Sequence, residues 1–372
     1  MNKRVLIIRN FASQVNADSY NLQEVGLGKA LVKKGFDCDI VYYSDSNTFD
    51  EVIYEYQNRK LTIKWTKAIK FMSNSIFYSM LKKSVLSQYE FIISTEYNQI
   101  MTLLLAIFCK DKVYLYHGPY LDNNKRIVQI FYDTFLTPII KRLVVKVFTK
   151  SDLAKEYLIN KGFKNVKTIG VGLDSEKLDT NIKITMNDIC RKIDLNKKNL
   201  LYIGVLEERR NIEFLFNIVS KLVKKDSNIN LVVVGNGREE DTKKYFNLAR
   251  ELEVENNIFH LKKLKQSELK YLYQNLDLFI FPTNYDIFGM VLLESMYFKL
   301  PVISTFNGGA QTLLNKENGL VLNNLDENTW VESIYSILNN QTLRGKLGEN
   351  ARNKILEGYT WDKIVKKILS ES

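Results

Sequence analysis

The stretch Phe281–Gly309, FPTNYDIFGMVLLESMYFKLPVISTFNGG, decides how the chain folds. Leu278-Phe279-Ile280-Phe281 is an apolar run closed by Pro282, the pattern of a parallel strand buried on both faces. Thr283 to Phe288 reads as a loop. Gly289 lets the backbone turn without a Cβ in the way as a helix begins. Met290, Val291, Leu293, Met296 and Tyr297 then recur at helical spacing. Leu300-Pro301-Val302-Ile303-Ser304 opens the next strand, with Pro301 where no ladder donor is needed. The whole is a strand–helix–strand unit. Two acids, Asp286 and Glu294, frame the helix entrance. Free N–H groups and a partial positive charge make that entrance a natural seat for phosphate. The plainer reading is a pair of solvated acids that complement the helix dipole.

Outward from this unit the same alternation continues. Leu200–Gly204, Leu231–Val234 before Gly235-Asn236-Gly237, Ile258–Leu261 and Leu320–Leu322 read as strands, mostly separated by helical segments. That is the pattern of a doubly wound parallel sheet. The N-terminal half repeats it. Val5–Ile8 is a strand, Asn21–Lys34 an amphipathic helix stopped by Gly35, and Asp39–Tyr43 the second strand. Phe91–Ser94, Val113–Tyr116 and Val145–Phe148 follow as strands. The fourth of these five delivers His117-Gly118-Pro119 to the sheet end where such folds bind ligands; a turn histidine bonded to local backbone is the alternative. A chain of 372 residues is long for one core and predicts two domains. We expect residues 1–174 as the first, a polar linker over 175–198, residues 199–356 as the second, and a last helix over 357–372.

Composition narrows the function classes. Hydrophobic residues make up 45% of the chain, as in globular proteins, and no apolar run is long enough to span a bilayer. Cys38, Cys109 and Cys190 are widely spaced, which argues against a disulfide framework or a zinc site and for a reducing, cytoplasmic compartment. The N-terminus lacks the pattern of a signal peptide. The net charge of +11 is uneven: residues 1–175 hold 25 Lys/Arg against 16 Asp/Glu. A basic first half points to an anionic partner or membrane surface. No nucleic-acid motif is present, and none of that class of partner is expected. Residues 57–89 contain no acid and interleave lysines with Trp65, Phe71, Phe77 and Tyr78. Helical spacing there predicts an interfacial amphipathic segment, or else an ordinary helix pair with a solvated basic face. Asp37-Cys38-Asp39 matches a metal-binding Asp-x-Asp only in its letters, and no metal site is expected.

The string Pro282-Thr283, Asp286, Phe288-Gly289, Leu292-Leu293-Glu294, Leu300-Pro301-Val302-Ile303 and Gly308-Gly309 resembles the sugar-nucleotide site of family-4 retaining glycosyltransferases, the glycosyl transferases group 1. The resemblance implies a GT-B fold: two Rossmann-like domains facing across a cleft, the first on the acceptor side, the second holding the nucleotide sugar, the last helix crossing back to the first domain. It also implies roles. Gly204-Val205-Leu206-Glu207-Glu208-Arg209-Arg210-Asn211 is similar to the element that clamps the donor diphosphate, with Arg210 at the position of the family's lysine and Arg209 beside it. Phe288, Gly289, Met290 and Val291 supply backbone donors to phosphate. Glu294 accepts from the ribose, Asp286 faces the donor sugar, Asn236 and Gly237 line the nucleotide pocket, and His117 stands near the reacting sugar. The implied activity is retaining transfer from a nucleotide sugar, a UDP-sugar by default, to a lipid-linked or membrane-proximal glycan in surface polysaccharide assembly, with no metal or other cofactor. Rival readings are a noncatalytic GT-B partner subunit, or an epimerase or phosphorylase on the same fold. Three departures stand out. Asp286 replaces the usual Glu, Val205 replaces an Arg, and the first loop, Phe11–Asn16, lacks the usual Gly-Gly.

Overall fold

The structure, a computed structural model, describes residues 3–11, 13–15, 22–71, 74–122, 126–179, 191 and 193–370. The chain divides into two compact units, Met1–Asp174 with Thr360–Ser372, and Ser175–Tyr359.

The first unit is built on β1 (Arg4–Ile8), β2 (Asp37–Tyr43), β3 (Phe49–Tyr56), β4 (Arg59–Thr66), β7 (Phe91–Thr95), β8 (Val113–His117), β9 (Lys146–Thr149) and β10 (Val166–Thr168), with β5 (Ile69–Phe71) and β6 (Asn74–Ile76) forming a separate small hairpin. The sheet order is β10-β9-β8-β7-β1-β2-β4-β3, and every pair is parallel except β3 with β4. The central strands β1, β7 and β8 are buried almost throughout, as their unbroken apolar runs require. The strand order turns between β1 and β7, so the crevice lies outside their carboxyl ends.

The amphipathic helix expected over residues 57–89 is not formed. Gln57 and Asn58 adopt positive φ, 46° and 64°, and turn the chain back as a β3–β4 hairpin. Leu61 and Ile63 then alternate with Thr62 and Lys64, putting one face of β4 into the core. Within the hairpin the basic residues pair with acids, Lys64 with Asp50 at 2.6 Å and Arg59 with Asp37 at 3.1 Å, and Trp65 Nε1 donates to Glu51 at 2.8 Å, while Lys67, Lys70, Lys82 and Lys83 beyond it are exposed. The acids that balance the hairpin cations sit on neighbouring strands, where linear inspection does not look. Asp39 is likewise spent, buried against Arg4 at 2.9 Å and the Tyr89 hydroxyl at 2.6 Å.

The second unit holds a six-stranded, all-parallel sheet: β11 (Lys198–Ile203), β12 (Ile229–Val234), β13 (Ile258–Leu261), β14 (Leu278–Phe281), β15 (Val302–Thr305) and β16 (Leu320–Leu322). Their order, β13-β12-β11-β14-β15-β16, reverses between β11 and β14. The helix Ile212–Lys225 buries Leu215, Phe216, Val219 and Leu222 on the sheet and packs against the helix Glu327–Leu338, whose Trp330 is fully buried. Ser175–Asp179 is a helical turn of this unit, with Asp179 accepting from the Tyr297 hydroxyl at 2.8 Å. Most of the stretch expected as a linker lies outside the described residues, as does Cys190.

The terminal helix Trp361–Leu369 packs on the helix Gln23–Lys33 of the first unit. A Cβ at Gly26 would stand 2.0 Å from the Trp361 ring, and one at Gly172 would stand 2.4 Å from it. The two glycines make the slot, and Leu173 pairs with Thr360 beside it. Trp361→Ala is therefore expected to destabilise the first unit by about 3–5 kcal/mol, the usual cost of emptying a buried aromatic site. Urea denaturation checks this, and an unchanged midpoint would mean the slot does not bind the helix.

Candidate active site

In an open parallel sheet, the loops after the two strands flanking the reversal converge. In the second unit these are the loop after β11, Gly204–Asn211, and the loop after β14, Pro282–Gly289. They are stitched together. Asn284 N donates to the Arg209 carbonyl at 3.1 Å, and Asn211 Nδ2 donates to the Pro282 carbonyl at 2.5 Å. Asn211 sits at φ 54° and ends the short turn Glu208–Arg210, which fixes where both arginines leave the backbone.

Arg210 points onto the β14 loop. Its Nη1 lies 2.8 Å from Asp286 Oδ2 and 3.4 Å from Thr283 Oγ1, and its guanidinium stands over the Phe281 ring. The other oxygen of Asp286 accepts from Phe288 N at 3.1 Å. Asp286 thus holds Arg210 with one oxygen and shapes the helix entrance with the other. Arg209 donates to the Tyr285 carbonyl at 2.6 Å and pairs with Glu207 at 2.6 Å. Val205, where the family's first Arg was expected, is half exposed.

Gly289 caps the helix Met290–Tyr297 at φ 69°, a conformation costly for any residue with a side chain. The free N–H groups of the first turn, at Met290 and Val291, follow directly. Gly309 lets the next helix approach: a Cβ there would lie 1.9 Å from the Phe288 carbonyl oxygen. Glu294 is buried in the same helix and accepts from the Tyr273 hydroxyl at 2.8 Å. On the β12 side, Gly204, Asn236 and Gly237 form a close backbone crossing. Leu206 N donates to the Asn236 carbonyl at 3.1 Å, and a Cβ on Gly235 would meet the Gly204 carbonyl oxygen at 1.9 Å. Beside this crossing lies a recess of about 760 Å³, lined among others by Glu207, Arg209, Arg238, Asp241 and Lys244. Asp286 and Glu294 do not line it.

His117 belongs to the first unit and ends β8, fully buried. Its Nδ1 lies 2.6 Å from Glu96 Oε2. Tyr97 meets the ring edge-on, and Tyr157 stacks on it at 5.9 Å. Glu96 follows β7 at φ 63°, accepts from Gly118 N at 3.1 Å, and lies 4.0 Å from Lys150. Burial works against its charge, but His117, Lys150 and the Gly118 amide outweigh it and hold the carboxyl below its ordinary value. The Glu96 contact at Nδ1 is a close ionic approach, and neither ring nitrogen has an aligned hydrogen-bond partner among the described residues.

The second unit therefore brings together Gly204, Arg209, Arg210, Asp286, Phe288 and Gly289 directly, with Asn236 and Gly237 behind the first loop and Glu294 inside the helix. Sequence reasoning missed Glu96, Glu207 and Tyr273. Glu96 carried no signal in the sequence, since it meets His117 only once β7 lies beside β8.

Two Rossmann-like α/β units, one with a phosphate-type helix entrance at its strand reversal, define the class. Residues 189–354 match the family model described as glycosyl transferases group 1. The match to that family falls on the second unit, and the chain has the GT-B fold. Over its whole length it resembles the Anabaena protein HepE in complex with UDP (TM-score 0.74, 13% identity, 99% of each chain covered). It also resembles a sucrose-phosphate synthase from Thermosynechococcus elongatus (TM-score 0.71, 17% identity, 100% of each chain). Among curated sequences it is 28% identical over 235 residues to an uncharacterized glycosyltransferase of Methanocaldococcus jannaschii, covering 60% of this chain and 59% of that one. It is 27% identical over 246 residues to the capsular polysaccharide biosynthesis glycosyltransferase of Staphylococcus aureus, covering 64% and 62%. The matched stretch thus spans about three fifths of these relatives' length.

Among the described residues, no helix is long and apolar enough to cross a membrane.

Proposed function

We infer that this protein is a retaining glycosyltransferase of family 4. It moves a sugar from a nucleotide sugar, a UDP-sugar by default, to a lipid-linked or membrane-proximal glycan. The observation that carries the reading is the Arg210–Asp286 pair, set at the strand reversal beside the Gly289 helix entrance. A departing nucleoside diphosphate gathers negative charge, and preorganised cations and backbone N–H groups lower the barrier by meeting that charge. Arg210, Arg209 and the first turn at Met290 and Val291 supply those groups, so the charge is met without a metal. Glu294, which already accepts from the Tyr273 hydroxyl, is the carboxylate we assign to the ribose, and we assign Asp286 to orienting Arg210 toward the diphosphate. His117, buried at the end of β8 with Glu96 at 2.6 Å from Nδ1, is the residue we assign to the sugar or acceptor hydroxyl. Relatives whose names state capsular polysaccharide biosynthesis, or poly(ribitol-phosphate) N-acetylglucosaminyl transfer, support a surface-polymer acceptor. The rival reading, a noncatalytic partner subunit, draws on Val205. Arg209 answers it, because a second cation stands four residues on in the same loop.

A thermal-shift screen of nucleoside diphosphates tests the donor half. A ligand at 100 times its dissociation constant stabilises the folded state by about 2.7 kcal/mol. UDP is expected to raise Tm clearly, and no response to any nucleoside diphosphate would remove the reading. The clamp also makes a graded prediction. Glu207 competes for Arg209 at 2.6 Å and for Arg210 at 3.8 Å. Partly exposed pairs of this kind are worth under about 1 kcal/mol, so Glu207→Gln should tighten UDP binding about two- to fivefold at low salt, read by calorimetry. Weaker binding would show that Glu207 supports the clamp rather than competing with the ligand.

A further inference from the structure

The chain after the His117 loop forms one continuous helical stretch: Arg126–Phe131, a π-helical turn Tyr132–Leu136, and Thr137–Leu143. Its inward face is fixed by polar contacts that cannot be exchanged for apolar ones. Gln129 Nε2 donates to the Tyr97 hydroxyl at 2.7 Å, the Tyr132 hydroxyl donates to the carbonyls of Tyr97 and Gln99 at 3.0 Å, and Asp133 pairs with Lys161 at 2.5 Å. The helix is thereby held so that Ile127, Ile130, Phe131, Phe135 and Ile139 all face solvent, Ile127 with 85% of its surface exposed. The Phe131 and Phe135 rings touch, 5.0 Å between centroids. A soluble chain does not gather so many large apolar side chains on one stripe without a use for them.

At the far end of the stripe the surface becomes basic. A groove of about 390 Å³ is lined by Lys141, Arg142 and Lys164 with Pro138 and Phe163, and among the described residues no acid lines it. The adjoining groove, of about 380 Å³, adds Lys146 and Lys167, again without an acid. An apolar stripe beside an acid-free basic groove complements an anionic bilayer: side chains enter the acyl boundary while cations meet head groups. The cations of the β3–β4 hairpin offer no such surface, because Arg59 and Lys64 are paired with acids.

We propose that the outward face of residues 126–143, with the basic groove of Lys141, Arg142 and Lys164, docks the protein on an anionic membrane. The proposal deepens the membrane-proximal acceptor reading and rests on it. The docked helix touches Tyr97, which packs on His117, so the surface that meets lipid is joined to the candidate site by one side chain.

The test is co-sedimentation of the whole chain with vesicles of phosphatidylglycerol and phosphatidylcholine in equal parts, or of phosphatidylcholine alone. Binding is expected to the anionic vesicles and to fall with salt. Removing even one buried Phe or Ile side chain costs about tenfold or more in transfer. Ile127→Ser/Phe131→Ser/Phe135→Ser should therefore lower binding at least about tenfold, and Lys141→Gln/Arg142→Gln/Lys164→Gln should abolish the preference for anionic lipid. Lys60→Gln/Lys67→Gln, both exposed in or after the hairpin, should bind like the parent. Because the serine sites are exposed, circular dichroism and the UDP thermal shift should stay unchanged, which separates failure of docking from failure of the donor site. Equal binding to neutral vesicles, parent-like binding by the serine variant, or a dimer that the serine variant dissolves would overturn the proposal.

Discussion

Replacing Arg210 with alanine is expected to lower kcat about 10²- to 10³-fold, the usual cost of removing one preorganised donor from developing charge. The physical case rests on position. Arg210 is mostly buried, lies 2.8 Å from Asp286, and stands over Phe281, so its guanidinium is held before any ligand arrives. Holding a cation in place removes the reorganisation that a mobile lysine would need. Arg210→Lys should recover part of the rate, because charge returns without the bidentate fork. Asp286→Asn should cost less than Arg210→Ala, since it loosens the cation without deleting it. The double variant should cost little more than Arg210→Ala alone, because Asp286 acts through Arg210. Steady-state kinetics on all four proteins, with urea midpoints to exclude unfolding, checks the set. Full additivity would mean that Asp286 works independently on the sugar.

The second large effect concerns His117. His117→Ala should lower kcat about 10²- to 10⁴-fold, the range for losing a positioned proton-transfer group. Glu96→Gln keeps the shape but removes the anion that orients the ring through Nδ1. It should lower kcat with little change in KM for donor, as a positioning residue would. Glu96 also gives a signature in stability. Its carboxyl is held below the ordinary value in the folded chain by His117, Lys150 and the Gly118 amide, against the opposing effect of burial. Its contribution is therefore full above the unfolded carboxylate pKa, and is lost as pH falls through the depressed folded value. The gap in Tm between the parent and Glu96→Gln should be widest near neutrality and close in acid. A gap independent of pH would show that the Glu96 charge is not what holds the loop.

The second unit was readable to an unusual degree, because its information is local. Parallel strands buried on both faces are continuous apolar runs, as in β12, β14 and β15, and the partly buried edge strands β13 and β16 also stood where the βα alternation put them. The turn glycines were legible for the same reason. Gly289 at φ 69° and Gly309 against the Phe288 carbonyl occupy places that only glycine fits. What depends on strand order was not legible. Glu96 meets His117 because β7 lies beside β8, and the acids that neutralise Arg59 and Lys64 come from β2 and β3. The hairpin turn at Gln57-Asn58 carries no glycine, so the spacing after it points to helix instead of β4. In the helical stretch 126–143, periodicity cannot say whether an apolar stripe faces core or solvent. Gln129, Tyr132 and Asp133 decide that, through partners 28 to 35 residues away.

The most direct test of the central claim is turnover by the isolated chain. Sugar nucleotides would be offered with a membrane lipid extract as acceptor source, nucleoside diphosphate release followed, and the anomeric configuration of the product read by proton NMR. The expected result is acceptor-dependent release, retained configuration, and collapse of the rate in Arg210→Ala. A chain that binds UDP yet releases nothing from any sugar nucleotide, or that yields the inverted anomer, would contradict the account.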